Sequence, residues 1–124
     1  THSLTHHGNR PEMIAELKRV EEEQFTVLGE WLAELDGVRE GDSTLLDRTM
    51  LLYGSCMGNA NAHSNTDLPL LLAGGGFRHA GHLVFQPGKA PPLANLFVSM
   101  LQGLGVEADR FASSTGTLAG LEPA

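Results

Sequence analysis

The sequence predicts an α/β fold in which a small, mostly parallel sheet is flanked by a long N-terminal helix and a C-terminal helix. Three observations predict it. Residues 10–35 repeat apolar side chains at helical spacing, residues 49–53 and 68–73 are continuous apolar runs that end at glycines, and residues 93–104 carry a second helical stripe. Because 124 residues is the length of one domain, we expect residues 1–124 to form a single α/β domain.

The long helix is predicted from about residue 10 to residue 35. Pro11 suits the first turn, where the backbone N–H has no helical partner, and Asn9 is a candidate N-cap. Gly37 is a candidate C-cap. The opposite face is charged and mostly acidic, so we interpret it as a solvated surface rather than a binding site. The apolar face consists of Met13, Leu17, Val20, Val27, Leu28, Trp31 and Leu35.

The two apolar runs, residues 49–53 and 68–73, do not alternate with polar residues. This pattern is typical of strands buried on both faces, as in a parallel sheet. Residues 74–76, three glycines, lack the Gly-Lys-Ser/Thr ending of a phosphate loop, so we interpret them as a backbone turn. His79 and His82 flank this turn and are expected at the surface.

Shorter elements complete the prediction. Asp42 or Ser43 is a candidate start of one short helical turn through Leu46, and the alternating residues 82–85 are expected to form a small strand or a hairpin arm. Pro91 and Pro92 open the second helix, which Gly105 is expected to end. The Ser-, Thr- and Gly-rich residues 111–121 have no periodicity, so this tail is either docked on another element or mobile.

Composition excludes several classes of protein. The net charge of −7 does not fit a nucleic-acid-binding surface and disfavours anionic membranes. No apolar run reaches the roughly 18 residues of a membrane span. The single cysteine, Cys56, excludes an internal disulfide and a cysteine-based zinc module, and we expect it to be a small buried side chain.

Three of the six histidines lie within the first seven residues, at His2, His6 and His7. Histidine is the commonest metal ligand, and positions i and i+4 share a face if the segment is helical. This density indicates a metal or phosphate-type site. The alternative is an exposed polar terminus or the remnant of an expression tag, although a tag normally has contiguous histidines.

The loop after the first predicted strand is a second candidate. Ligands bind beyond the carboxyl ends of the strands in open α/β sheets. Asn59, Asn61 and His63 lie in this loop and are candidates to face a common centre. Ser55 is a candidate hydroxyl ligand or nucleophile, but it lacks the Gly-x-Ser-x-Gly elbow. The alternative is a polar loop held together by its asparagine side chains.

Residues 2–7, His-Ser-Leu-Thr-His-His, resemble the motif of a bacterial family of unknown function that is known for its HXXSHH motif, with Thr5 in the serine position. Residues 53–63, 67–77 and 111–116 are similar to that family as well. The resemblance covers nearly the whole chain. It implies that the chain is the C-terminal third of such a protein and is a fragment of a larger domain.

That family is in turn similar to the alkaline phosphatase and sulfatase superfamily, in the order of its parts. His2-x-x-x-His6 stands where the superfamily has an Asp-x-x-x-His metal pair, and His63 stands where it has a third-site histidine. Ser55-Cys56 replaces the superfamily's Asp-His pair. The resemblance implies the C-terminal part of an alkaline phosphatase-like fold. It also implies zinc or another divalent metal, held by His2, His6 or His7, and His63.

Two functions follow as expectations from this resemblance. The first is a metal-dependent ester hydrolase that lacks its nucleophile half, so that the isolated chain is inactive. The second is a non-catalytic, exported structural or assembly module that has lost the metals. The family resemblance implies a periplasmic or exported location. The expected partners are the missing N-terminal portion of the parent protein or further copies of this chain, without nucleic acid.

Overall fold

The computed structural model describes residues 1–79, 81–86 and 88–123. The chain divides into two compact units. Unit 1 comprises Thr1–Leu45 and Leu52–Leu72, and unit 2 comprises Leu46–Leu51 and Ala73–Ala124. In chain order the elements are α1 (His2–Thr5), α2 (Pro11–Gly37), β1 (Arg39–Glu40), β2 (Ser43–Thr44), β3 (Met50–Gly54), β4 (Leu70–Gly74), β5 (Phe77–His79), α3 (Ala94–Gly103) and β6 (Leu121–Pro123).

The α/β class with a long N-terminal helix is confirmed, but the predicted mostly parallel sheet is wrong. In the described part of the chain the strands form three two-stranded sheets, and the pairs β1–β2 and β5–β6 are antiparallel. β3 is hydrogen-bonded to β4, and the N–H of Ser55 donates to the carbonyl of Pro69 at 3.2 Å, so the end of β3 lies beside the start of β4. The physical reason is the connection: residues 55–69 contain no helix, whereas parallel neighbours need a crossover, usually helical.

Both helices predicted from apolar periodicity are confirmed as α2 and α3. The predicted caps of α2 are wrong. Arg10 rather than Asn9 is the N-cap residue, since Asn9 has a φ of 59°. The helix includes Gly37 as its last residue, and Val38 is the C-cap residue. Pro11 does occupy the first turn.

Two of the short predicted elements are also wrong. Residues 43–46 do not form a helical turn, because Ser43 and Thr44 pair with β1 and the N–H of Leu45 donates to the carbonyl of Val38 at 2.8 Å. These bonds close a small hairpin. Residues 82–85 are irregular, and the strand that follows the glycine turn is β5 instead, paired with β6 at the end of the chain.

Unit 2 contains most of the buried apolar side chains. Val98 of α3 is fully buried, and Leu96 is 6% exposed. Phe77 of β5 is also buried, and its ring approaches Gly103 so closely that a Cβ there would lie 2.8 Å from the ring. Glycine at the end of α3 therefore lets the helix pack directly against an aromatic ring. Leu51, Ala94 and Leu121 complete the buried set of this unit.

The tail of residues 111–121 is docked on α3 by buried polar side chains. The side-chain amide of Asn95 donates to the Oγ1 of Thr115 at 3.2 Å and to the carbonyl of Thr117 at 3.1 Å, and its Oδ1 accepts from the N–H of Thr115 at 2.9 Å. The hydroxyl of Ser99 accepts from the N–H of Leu118 at 2.9 Å. A segment without periodicity is thus ordered by side-chain-to-backbone bonds rather than by its own secondary structure.

The three consecutive glycines form the predicted backbone turn. Their φ angles are 66°, 72° and 68°, in the left-handed region that side chains other than hydrogen rarely adopt. A Cβ on Gly74 would lie 2.2 Å from the carbonyl oxygen of Leu46. Both the conformation and the close approach require glycine here.

Unit 1 has little buried apolar surface. Leu28 of α2 is its one buried apolar side chain among the described residues. The expectation that β3 and β4 are buried on both faces is wrong: Leu51 is the one buried residue of β3, and β4 is half-buried or exposed. None of the described helices has both the length and the apolar character needed to cross a membrane.

Candidate functional site

The N-terminal histidines are positioned by α1, a single helical turn. The hydroxyl of Thr5 donates to the carbonyl of His2 at 2.8 Å, and the N–H of Thr5 donates to the carbonyl of Thr1 at 3.2 Å. The turn ends at His6, its C-cap residue. Because His2 and His6 are four residues apart, the turn places both rings on one side, with their centroids 4.6 Å apart.

His63 is presented by a tight loop of residues 58–64. Asn59 and Ser64 form an antiparallel bridge, and the Oδ1 of Asn59 accepts from the N–H of Ala62 at 3.0 Å. His63 itself has a φ of 51°, a left-handed conformation that is uncommon for residues other than glycine. Such strain persists only where the surroundings hold it, and it concentrates at functional sites.

A hydrogen bond joins this loop to the N-terminal segment. The N–H of Gly8 donates to the Oδ1 of Asn61 at 2.9 Å. Asn59 and Asn61 thus use their side-chain oxygens to accept from backbone N–H groups, as expected for a polar loop held by its asparagines. These bonds hold the loop that carries His63. The two side-chain oxygens are therefore used within the fold rather than for binding a ligand.

The loop and α1 bring three predicted ligands together. The ring of His6 lies between the other two, with its centroid 4.6 Å from that of His2 and 4.8 Å from that of His63. We call these three side chains the histidine cluster. His2 and His63 are exposed, whereas His6 is half-buried. The contact between His6 and His63 spans 57 sequence positions, as expected if His63 is the partner of the N-terminal histidines.

The ring orientations determine what the cluster can bind. The planes meet at 75° and 60°, so each pair is edge-to-face. Among the described residues, no group of three or more His, Cys, Asp or Glu side chains is arranged so that it could hold a metal ion.

His7 is not part of the cluster. Its Nδ1 accepts a hydrogen bond from the N–H of Asn9 at 3.0 Å. An accepting Nδ1 carries no proton, so in the neutral ring the proton resides on Nε2 and leaves it without a lone pair for a metal. The backbone carbonyl of His7 accepts from the N–H and the Nε of Arg10, at 3.0 and 3.3 Å. His7 therefore orders the entry to α2.

The residues that replace the superfamily's Asp-His pair lie at the end of β3. The Oγ of Ser55 accepts from the N–H of Met57 at 3.1 Å, which shapes the turn after the strand. Cys56 is exposed, so the expectation that it is buried is wrong. The reason is that β3 ends at Gly54 and the chain leaves the sheet before Cys56.

Sequence reasoning missed the residue that shapes the histidine loop. A Cβ on Gly58 would lie 2.0 Å from the carbonyl oxygen of Thr66 and 2.7 Å from that of Asp67. Glycine is therefore required for the two ends of the loop to approach each other. The available signal was an isolated glycine shortly before a run of Asn and Ser residues.

Unit 2 contains a cavity of about 320 Å³ that borders α3 and β6. Polar side chains that line it have hydrogen-bond partners within the protein. The Nε2 of Gln102 donates to the carbonyl of Ala108 at 2.8 Å, and the carboxylate of Glu122 accepts from the N–H of Gly120 at 3.1 Å. The hydroxyl of Ser99 accepts from the tail. These groups serve the fold, so the histidine cluster is the better candidate site.

Comparison with known proteins identifies no protein related to this chain. No family model, curated protein or solved structure matches the chain. The resemblance to the HXXSHH family and to the phosphatase and sulfatase superfamily therefore stays a prediction from the sequence.

Proposed function

We propose that the chain carries a divalent transition-metal site of a protein that resembles metal-dependent phosphatases and sulfatases, with His2, His6 and His63 as the metal ligands. The observation that carries this proposal is the contact of three imidazole rings from two distant parts of the sequence. Zinc is the metal that the donor set fits best, since three histidines and one water are a common catalytic zinc environment.

The spacing of the rings supports the proposal. Zinc–nitrogen bonds are about 2.0–2.1 Å long, so two nitrogens on one zinc ion lie within about 4 Å of each other. The ring centroids lie 4.6 and 4.8 Å apart, so one zinc ion would require the rings to turn until their nitrogens approach each other this closely. The half-buried His6 would stay in place while the exposed His2 and His63 turn.

The chain's own residues would hold and orient the metal. Asn59 and Asn61 keep the loop in the shape that presents His63, and α1 keeps His2 and His6 on one side. A bound zinc ion would act as a Lewis acid and lower the pKa of a bound water toward about 7. The substrate class, phosphate or sulfate esters, rests on the resemblance in residues 2–7 and 53–63.

The second candidate is a non-catalytic module that has lost the metals. Ser55 and Cys56 favour it, because they stand in place of two strong metal ligands and the Oγ of Ser55 is used within its own turn. A module of this kind requires neither a bound metal nor catalytic activity. In such a module the contacts between the loop and α1 serve only to stabilise the fold.

Calorimetric titration with zinc separates the two candidates. The first predicts one zinc ion per chain, with affinity at least about tenfold weaker in His63→Ala, because one of three protein ligands is gone. His82→Ala, which changes an exposed histidine in unit 2, is the matched control and leaves the affinity unchanged. No stoichiometric zinc, together with an unchanged unfolding temperature in a chelator, supports the second. Turnover of an aryl phosphate or sulfate ester by the zinc-loaded chain shows whether the site is catalytic without further protein.

A further inference from the structure

The long helix α2 presents apolar side chains that unit 1 does not cover. It spans 27 residues, about 40 Å at 1.5 Å per residue, yet buries only Leu28. On one flank, Phe25 is in edge-to-face contact with Tyr53, whose hydroxyl donates to Gln24. Tyr53 of β3 thus contacts this flank of the helix, where Phe25 is 53% exposed.

The other flank has no such contact among the described residues and is also exposed. The side chains of Val27 and Trp31 lie one helical turn apart on the same face and are 63% and 49% exposed. Val20 extends the face by two turns toward the N-terminus and is half-buried. We call these three residues the α2 stripe. Exposed apolar surface that includes an aromatic side chain is typical of a protein-binding surface.

A row of carboxylates borders the stripe on its outer side. Glu23 and Glu30 lie four residues before and three residues after Val27, and Glu34 lies three residues after Trp31, so each is a neighbour of the stripe on the helix surface. The helix as a whole contains eight acidic and two basic side chains. One of these bases, Lys18, is paired with Glu22 at 3.5 Å.

We propose that the α2 stripe is the docking surface for a basic amphipathic helix of another protein. Its apolar side chains would pack on Val27 and Trp31, and its Lys or Arg side chains would meet Glu23, Glu30 and Glu34. The charge of the partner decides which molecule can bind here. A second copy of the chain would bring another strongly acidic helix and would be repelled, as would nucleic acids and anionic membranes. A cationic helix is attracted along the whole border.

The single tryptophan, Trp31, reports directly on this surface, because its fluorescence shifts to shorter wavelength when the ring is buried. The probe is a synthetic amphipathic peptide with leucines on one face and lysines beside them. The comparison peptide has glutamate in place of each lysine. We expect the lysine peptide to shift the emission and to bind at least about tenfold more tightly than the glutamate peptide. Its affinity falls between about 0.01 M and about 1 M salt, as the Debye length shortens from about 30 Å to about 3 Å.

Two variants locate the binding. Val27→Ser weakens binding of the lysine peptide about tenfold, while Leu104→Ser, at a similarly exposed apolar position outside α2, leaves it unchanged. The double variant Glu30→Lys/Glu34→Lys reverses the preference between the two peptides. Both changes lie on the surface, so the fold is retained, and far-ultraviolet circular dichroism checks this. Equal affinity for both peptides, no binding of either, or a blue shift that grows with protein concentration alone would overturn the proposal; the last result indicates a second copy.

Discussion

Replacing Asn95 by alanine tests whether the tail is held by buried polar bonds. Asn95 is 4% exposed and makes four hydrogen bonds to residues 115–117, the longest at 3.5 Å. Each such bond contributes about 1 kcal/mol net, and the substitution also leaves the N–H of Thr115 and the carbonyl of Thr117 without their partner. We therefore expect a loss of about 2–4 kcal/mol in the free energy of unfolding.

Urea denaturation followed by circular dichroism measures this loss, with an unchanged m-value as the sign that only stability has changed. Gln102→Ala is the matched control on the same helix, since Gln102 is exposed and makes one bond, at 2.8 Å to the carbonyl of Ala108. We expect the control to cost about 0.5–1 kcal/mol. If Asn95→Ala destabilises the chain no more than this control, the tail is not held as described.

Three further predictions concern the core and the site. Val98→Ala removes two methyl groups from a fully buried position and should cost about 2 kcal/mol in urea denaturation; a cost below about 0.5 kcal/mol would contradict the packing described. Gly58→Ala should weaken zinc binding in calorimetry, because the new Cβ displaces Thr66 and with it the loop that presents His63. Gly29→Ala, its control in open helical space, should instead raise the free energy of unfolding by about 0.5–1 kcal/mol. Equal losses of zinc affinity in the two variants would refute the role given to Gly58. Zinc affinity should fall steadily as the pH is lowered, because the ligands must be neutral imidazoles, and a pH-independent affinity would exclude them.

The helices were predictable because their signal is local. Apolar residues at helical spacing fix α2 and α3, and the glycine run fixes the turn at residues 74–76. The direction of strand pairing was not predictable from the apolar runs. A run such as residues 49–53 fits a parallel strand and a half-buried antiparallel one equally well, and the connection decides between them.

The site was predictable in part. The spacing of His2 and His6 gives their proximity, since it needs only one helical turn. The partnership with His63 came from the resemblance, and the structure brings that ring against His6. The separate position of His7 was not predictable, because it depends on one bond from the N–H of Asn9 to its Nδ1. Local spacing gives no information about such a bond.

X-ray absorption at the zinc edge of the purified, desalted chain tests the central claim most directly. We predict one zinc ion per chain with three imidazole nitrogens at about 2.0–2.1 Å, falling to two in His63→Ala and unchanged in His7→Ala. A chain that retains no zinc, or a zinc ion bound only by oxygen, would contradict the assignment of His2, His6 and His63 as a metal site.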